Sequence, residues 1–192
     1  MGLTKLGDIA CGDVFHAFGD TFVKLALVRD GVLAIRETNH KHVMFDANAR
    51  NNLAVADILE DLNAYVCDLA SHGMDATAYV TQSIDLRTQS GLRDYGRHEC
   101  TAGLLTLSQY LKYRHLIPVT WWQRDRWSWW LATPAIVRPK DGVTKHVWSV
   151  LACGDTDVDY CGFMLALRPT MNFTPNLLVT VTPKLSKETH DD

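Results

Sequence analysis

Trp127-Ser-Trp-Trp-Leu-Ala-Thr-Pro134 places three tryptophans in four positions, and all six tryptophans of the chain lie between Trp121 and Trp148. Such density has two readings. Aromatic faces stack on the CH surfaces of sugars, or they fill a core. For Trp129, Trp130 and Leu131 the reading is core packing. Trp121, Trp122 and Trp127 flank the solvated run Gln123-Arg-Asp-Arg126, so an exposed contact role competes with packing there. Downstream, Thr144 to Leu151 alternates as a strand, Gly154-Asp155 turns, and Phe163 to Leu167 reads as a buried strand. Arg168-Pro169 closes that strand, with the guanidinium free to hold neighbouring loops.

Towards the N-terminus, residues 6 to 37 read as a small antiparallel β unit. Leu6 to Ile9 leads into Asp13 to Phe18, with a turn at Gly19-Asp20. Thr21 to Val28 then meets Val32 to Ile35 across Arg29-Asp-Gly31, an Asp-Gly hairpin signal. Asn39 to Asn52 is polar and reads as loop. From Leu53 to Leu69 the spacing turns helical, with Val55, Ile58, Leu59, Leu62, Val66 and Leu69 on one stripe. Asn51 or Asn52 caps its start, and Gly73 stands at its stop. Residues 74 to 103 form a long polar connection that is functional or hides short strands. After a brief strand at Leu104-Leu105, Thr106-Leu-Ser-Gln109 fits a capping box, predicting a short helix that stops before Pro118. Leu177 to Thr182 reads as one more edge strand, and the charged end Lys184 to Asp192 reads as disordered.

A chain of 192 residues is read as one domain, residues 1–173, followed by an edge strand and tail over 174–192. The 19 Lys and Arg nearly balance the 22 Asp and Glu, so nothing advertises nucleic-acid binding. No window reaches the roughly eighteen unbroken apolar residues of a membrane span, and no membrane insertion is expected. Met1-Gly-Leu-Thr-Lys-Leu lacks the basic start and apolar run of a signal peptide, so an exterior role is expected through assembly into a virus particle. Cys11, Cys67, Cys100, Cys153 and Cys161 are odd in number and share no CxxC spacing; they read as reduced, with Cys153 and Cys161 left as an open pair.

The order of these segments resembles a domain family of bacteria and their phages, built like a C-type lectin. In that family Trp-Trp-Leu-Arg-(Ser/Thr)-Pro precedes a Val-rich strand, a Ser-Asp-Gly turn and a Val-Arg-Pro-Ala-Leu strand. The matching parts here are Trp129 to Pro134, Gly91-Leu-Arg-Asp-Tyr-Gly96, Leu105-Thr-Leu107 with Tyr110 to Arg114, and Arg168-Pro169. Ala132 stands where Arg is frequent, Cys153-Gly-Asp155 replaces Ser-Asp-Gly, and Thr170 stands where Ala is usual. The resemblance implies an α+β, C-type-lectin-like domain of small antiparallel sheets with one long and one short helix. Its fold relatives include phage adhesins, retroelement variable proteins and the formylglycine-generating enzyme, so fold alone leaves binding and catalysis open.

The face that varies among lectin-like binders corresponds to residues 133–163. Its expected ligand-binding residues are Arg138, His146, Trp148, Asp155, Asp157, Asp159 and Tyr160, helped by Trp121 and Trp122. Mixed charge and aromatics suit protein recognition. Gly154-Asp-Thr-Asp-Val-Asp159 has the alternating carboxylates of a calcium loop but lacks the glycine and distal glutamate of an EF-hand. His40-Lys-His42 and His98-Glu-Cys100 each supply too few ligands for a metal. No cofactor and no catalytic residue are expected. The expectation is a non-enzymatic, virion-associated adhesin recognising a host surface protein or glycan, or other phage structural proteins, as a homo-oligomer or part of a larger assembly. The alternatives are a purely structural capsid or tail protein, and a metal-dependent enzyme of the formylglycine-generating type.

Overall fold

The computed structural model describes residues 2–118, 127–137 and 145–182. Among the described residues the chain is α+β, mostly small antiparallel sheets with two helices, one long and one short. Strands β1 (Leu3–Lys5), β2 (Val14–Ala17), β3 (Asp20–Val28), β4 (Gly31–Arg36) and β5 (Lys41–Met44) precede helix α1 (Ile58–Ser71). Strands β6 (Gln82–Asp85), β7 (Arg97–Cys100) and β8 (Ala102–Gly103) lead into helix α2 (Leu107–Tyr113). Then come β9 (Trp129–Pro134), β10 (His146–Val150), β11 (Thr156–Tyr160), β12 (Met164–Leu167), β13 (Thr170–Phe173) and β14 (Leu178–Val181). A seven-stranded sheet runs β1-β14-β2-β3-β4-β13-β8, a five-stranded sheet runs β11-β10-β9-β12-β5, and β6-β7 form a ribbon.

The N-terminal β unit is present, but its turns differ from expectation. Ala17 pairs with Asp20, so the β2–β3 loop is Phe18-Gly19, and both residues have positive φ. That matches the right-handed twist of the strands it joins. Val28 pairs with Gly31, which makes Arg29-Asp30 the β3–β4 loop and Gly31 a strand residue. The expected Asp-Gly turn is therefore shifted by one residue. Gly31 is needed for close approach instead: a Cβ there would sit 2.4 Å from Asn172 Oδ1. Leu6 to Ile9 is no strand. Its carbonyls turn onto the buried Lys24, whose Nζ donates to those of Leu6, Gly7 and Ile9 at 2.9, 2.8 and 2.6 Å.

Between β4 and α1, the segment expected as loop contains β5, paired antiparallel with β12. Asn52 caps a single 3-10 turn at Leu53–Val55, accepting from the Ala54 N–H, and the α-helix begins only at Ile58. Val55 is therefore off the helical stripe and exposed, while Ile58, Leu62, Tyr65 and Leu69 are buried. The capping box of α2 forms as expected: Thr106 accepts from the Gln109 N–H, and Gln109 accepts from the Thr106 N–H. The short strand before it is Ala102–Gly103 rather than Leu104-Leu105.

Arg168-Pro169 follows β12, and the chain crosses from the five-stranded to the seven-stranded sheet to form β13, a strand not expected from the sequence. β14 is not an edge strand. It pairs with both β1 and β2, and β1 takes the edge. The tail Lys184 to Asp192 lies outside the described residues.

Two cores result. Phe15, Phe22, Val32 and Ala34 join α1, Trp130, Ala132 and Val147 in the first. Val23, Leu25, Leu33 and Ile35 join Leu105, Tyr110, Trp129, Leu131 and Val150 in the second. Strands β4 and β9 thus feed both cores, because successive side chains leave a strand on opposite faces. Trp130 Nε1 donates to the Val43 carbonyl at 3.0 Å, and Trp129 packs edge-on to Tyr110 at 5.5 Å. Arg168 is only 3% exposed; Nε donates to the Arg36 carbonyl at 2.9 Å, a terminal nitrogen donates to the Glu37 carbonyl, and the guanidinium lies over the Trp129 ring. Burial pulls its pKa down to about 10, leaving it charged at neutral pH.

Candidate functional site

β10 and β11 form an antiparallel ladder in which His146 opposes Tyr160, Val147 Asp159, Trp148 Val158, Ser149 Asp157 and Val150 Thr156. Directly opposed residues share a face. His146, Trp148, Val158 and Tyr160 therefore stand on one side, while Asp157 and Asp159 stand on the other with Val147 and Ser149. Of the expected contact residues that are described, those on this ladder do not share one face. Trp121, Trp122 and Arg138 lie outside the described residues.

The acidic run expected as a turn is largely strand β11. Alternating carboxylates suggest a cation loop, but two-residue alternation is also the period of a strand, which spaces like-facing residues by about 6.6–6.8 Å along its axis. Asp159 accepts from the buried Ser149 hydroxyl at 2.5 Å, and Asp157 accepts from the Val158 N–H at 2.7 Å. Asp155, back in the turn, receives the Cys153 thiol at 3.6 Å. Among the described residues no group of three or more His, Cys, Asp or Glu is placed to hold a metal ion.

His40 and His42 are likewise engaged separately. The His40 ring packs edge-on to Tyr65 at 5.0 Å, and His42 packs on Trp127 at 4.5 Å. Burial, then the nearby Arg36, lowers the His40 pKa. Tyr65 itself donates to Asp20 at 2.8 Å, and Arg36 holds the same carboxylate at 2.7 Å. Cys153 and Cys161 are both free; Cys153 is exposed, and burial pushes the Cys161 thiol up to about 12. A thiol held there stays protonated near neutral pH and is a poor nucleophile.

The aromatic side of the ladder continues further than expected. His146 meets Tyr160 at 6.0 Å between ring centroids, and Tyr160 meets Phe163 at 5.6 Å. Phe163 and Met164, expected in a buried strand, are 55% and 52% exposed, and Met164 opposes the exposed Met44 across β12–β5. Their position at the strand's mouth was a signal: only Ala166 and Leu167, further along β12, are buried. Trp148 behaves differently from its neighbours. It is half-buried against the second core, and its Nε1 is sealed from solvent without a hydrogen-bond partner. It contributes packing to the second core rather than a polar contact.

No family model, no curated protein and no solved structure matches this chain.

Proposed function

We propose that this chain is a non-enzymatic binding protein that engages a protein or glycan partner through the row His146, Tyr160 and Phe163, continued by Met164 and Met44. The observation that carries this is the exposure of large apolar side chains at Phe163, Met164 and Met44, joined to the edge strand β11 through the Tyr160–Phe163 ring contact, where aromatic anchors are available to a partner. The C-type-lectin-like architecture and the virion setting are part of the same proposal and rest on the sequence resemblance; the mixture of antiparallel sheets with one long and one short helix agrees with it. The exposed Phe163 and Met164 also favour a second reading, a structural capsid or tail protein whose apolar surface packs against neighbouring subunits.

Capture from intact virions and from host-cell envelope, using the wild type and a Tyr160→Ala, Phe163→Ser variant, separates these. Capture of a host surface component by the wild type alone supports the adhesin reading. Capture of virion proteins alone, lost in the variant, moves the protein to the structural role. Equal capture by both proteins removes the ring row from either role.

A further inference from the structure

Between α2, the end of β10 and the residues that follow β12 lies a small pocket of about 20 Å³, lined by Tyr110, Trp127, Trp129, Val150, Gly154 and Arg168 among others. That is room for a water or an ion of similar size, and too little for a ring or an extended ligand. We propose that this pocket binds a compact monovalent anion of the chloride class.

The observation that carries this is the state of Arg168. Its guanidinium is 3% exposed and charged at neutral pH, yet among the described residues no carboxylate lies within ion-pair distance of it. Glu37 acts on it only through space, and Arg36 opposes that effect. Nε and Nη2 donate to the Arg36 and Glu37 carbonyls, which leaves Nη1 without a hydrogen bond among the described residues. The side-chain atoms sealed from solvent without a partner are Trp148 Nε1 and Asn172 Oδ1, so Nη1 keeps access to the space that Arg168 lines. A buried charge is costly unless an opposite charge stands beside it.

A second donor stands on the same pocket. Trp129 is 4% exposed, and its Nε1 likewise makes no hydrogen bond among the described residues and is not sealed. The guanidinium carbon lies 5.4 Å from the centre of its ring. Indole and guanidinium groups only donate, so neither satisfies the other. An acceptor serves both, and an anion also balances the charge. The wall opposite offers little competition: the Gly154 carbonyl takes the Tyr110 hydroxyl, and the Leu151 carbonyl takes the Gly154 N–H. The arginine fork that grips carboxylates and phosphates with two parallel bonds is already occupied, since Nε and Nη2 hold carbonyls. A single-atom acceptor needs no fork.

The test is NMR titration of the full chain with sodium chloride, replacing sodium gluconate at constant ionic strength, with bromide located by anomalous scattering in soaked crystals. The Trp129 indole N–H and Arg168 Nε–H signals are expected to move with chloride, and a bromide peak is expected between the two side chains. The urea midpoint is expected to rise with chloride and not with gluconate, because an ion bound by the folded chain alone stabilises it. Trp129→Phe keeps a ring and removes the N–H, and is expected to weaken chloride about tenfold. Ala152→Leu fills the pocket from the half-buried turn, touches neither donor, and is expected to abolish the response. The Tyr160→Ala, Phe163→Ser variant keeps the full chloride response, so this site and the ring row fail separately. Four results overturn the proposal: chloride and gluconate act alike, acetate binds more tightly than chloride, bromide sits elsewhere only, or Ala152→Leu titrates as the wild type does.

Discussion

β9 and β11 belong to one sheet with only β10 between them, yet they live in different physical worlds. Every residue of β9 is buried, while every residue of β11 is exposed or half-exposed. β9 has a strand on each side and a core on each face. Trp129 and Leu131 enter one core, Trp130 and Ala132 the other. Among the described residues β11 has one neighbour, with carboxylates on one face and Val158 with Tyr160 on the other. The difference shows why aromatic content alone does not identify a contact surface. The number of covered sides decides whether a Trp or Tyr is structural or available.

The largest expected effect comes from breaking the covered strand. Trp130→Ala removes a fully buried ring and its bond to the Val43 carbonyl, and is expected to cost about 3–5 kcal/mol in urea unfolding. A cost below about 1 kcal/mol would mean that β9 is not clamped as described. Arg168→Leu tests the clamp from outside the strand. It leaves the Arg36 and Glu37 carbonyls without their donor, with an expected loss of about 2–3 kcal/mol by the same measurement. The smallest effect belongs to the edge. Val158→Lys on β11 is expected to change stability by no more than about 0.5 kcal/mol, while adding a charge beside Tyr160 that weakens partner capture. A large stability loss there would show that the edge is covered after all.

Much of this contrast was legible in the sequence. Trp129 to Leu131 as core, the capping box at Thr106 and Gln109, the helix ended at Gly73, and Arg168 as a tie between loops all follow from side-chain chemistry within a few residues. Local periodicity and capping are written in adjacent positions, so they survive without knowledge of neighbours. The described members of the expected contact set on β10 and β11 divide between two faces for the opposite reason. Asp157 and Asp159 part from Tyr160 because the segment is a strand, and only its pairing with β10 sets which face each residue takes.

The same limit governs the remaining surprises. Phe163 is exposed at the mouth of β12 with Tyr160 beside it, and β14 is interior because β1 adds outside it. Gly31 looks like a turn residue until β13 brings Asn172 against it from well over a hundred positions away. The sequence by itself determined that there is one long and one short helix, the capping box of the short one and the burial of Trp129 to Leu131, since hydrophobic period and backbone satisfaction are local demands. Strand order, the side each polar residue faces and the pocket beside Arg168 were decided only by tertiary structure, because they depend on which distant segment supplies the neighbouring wall.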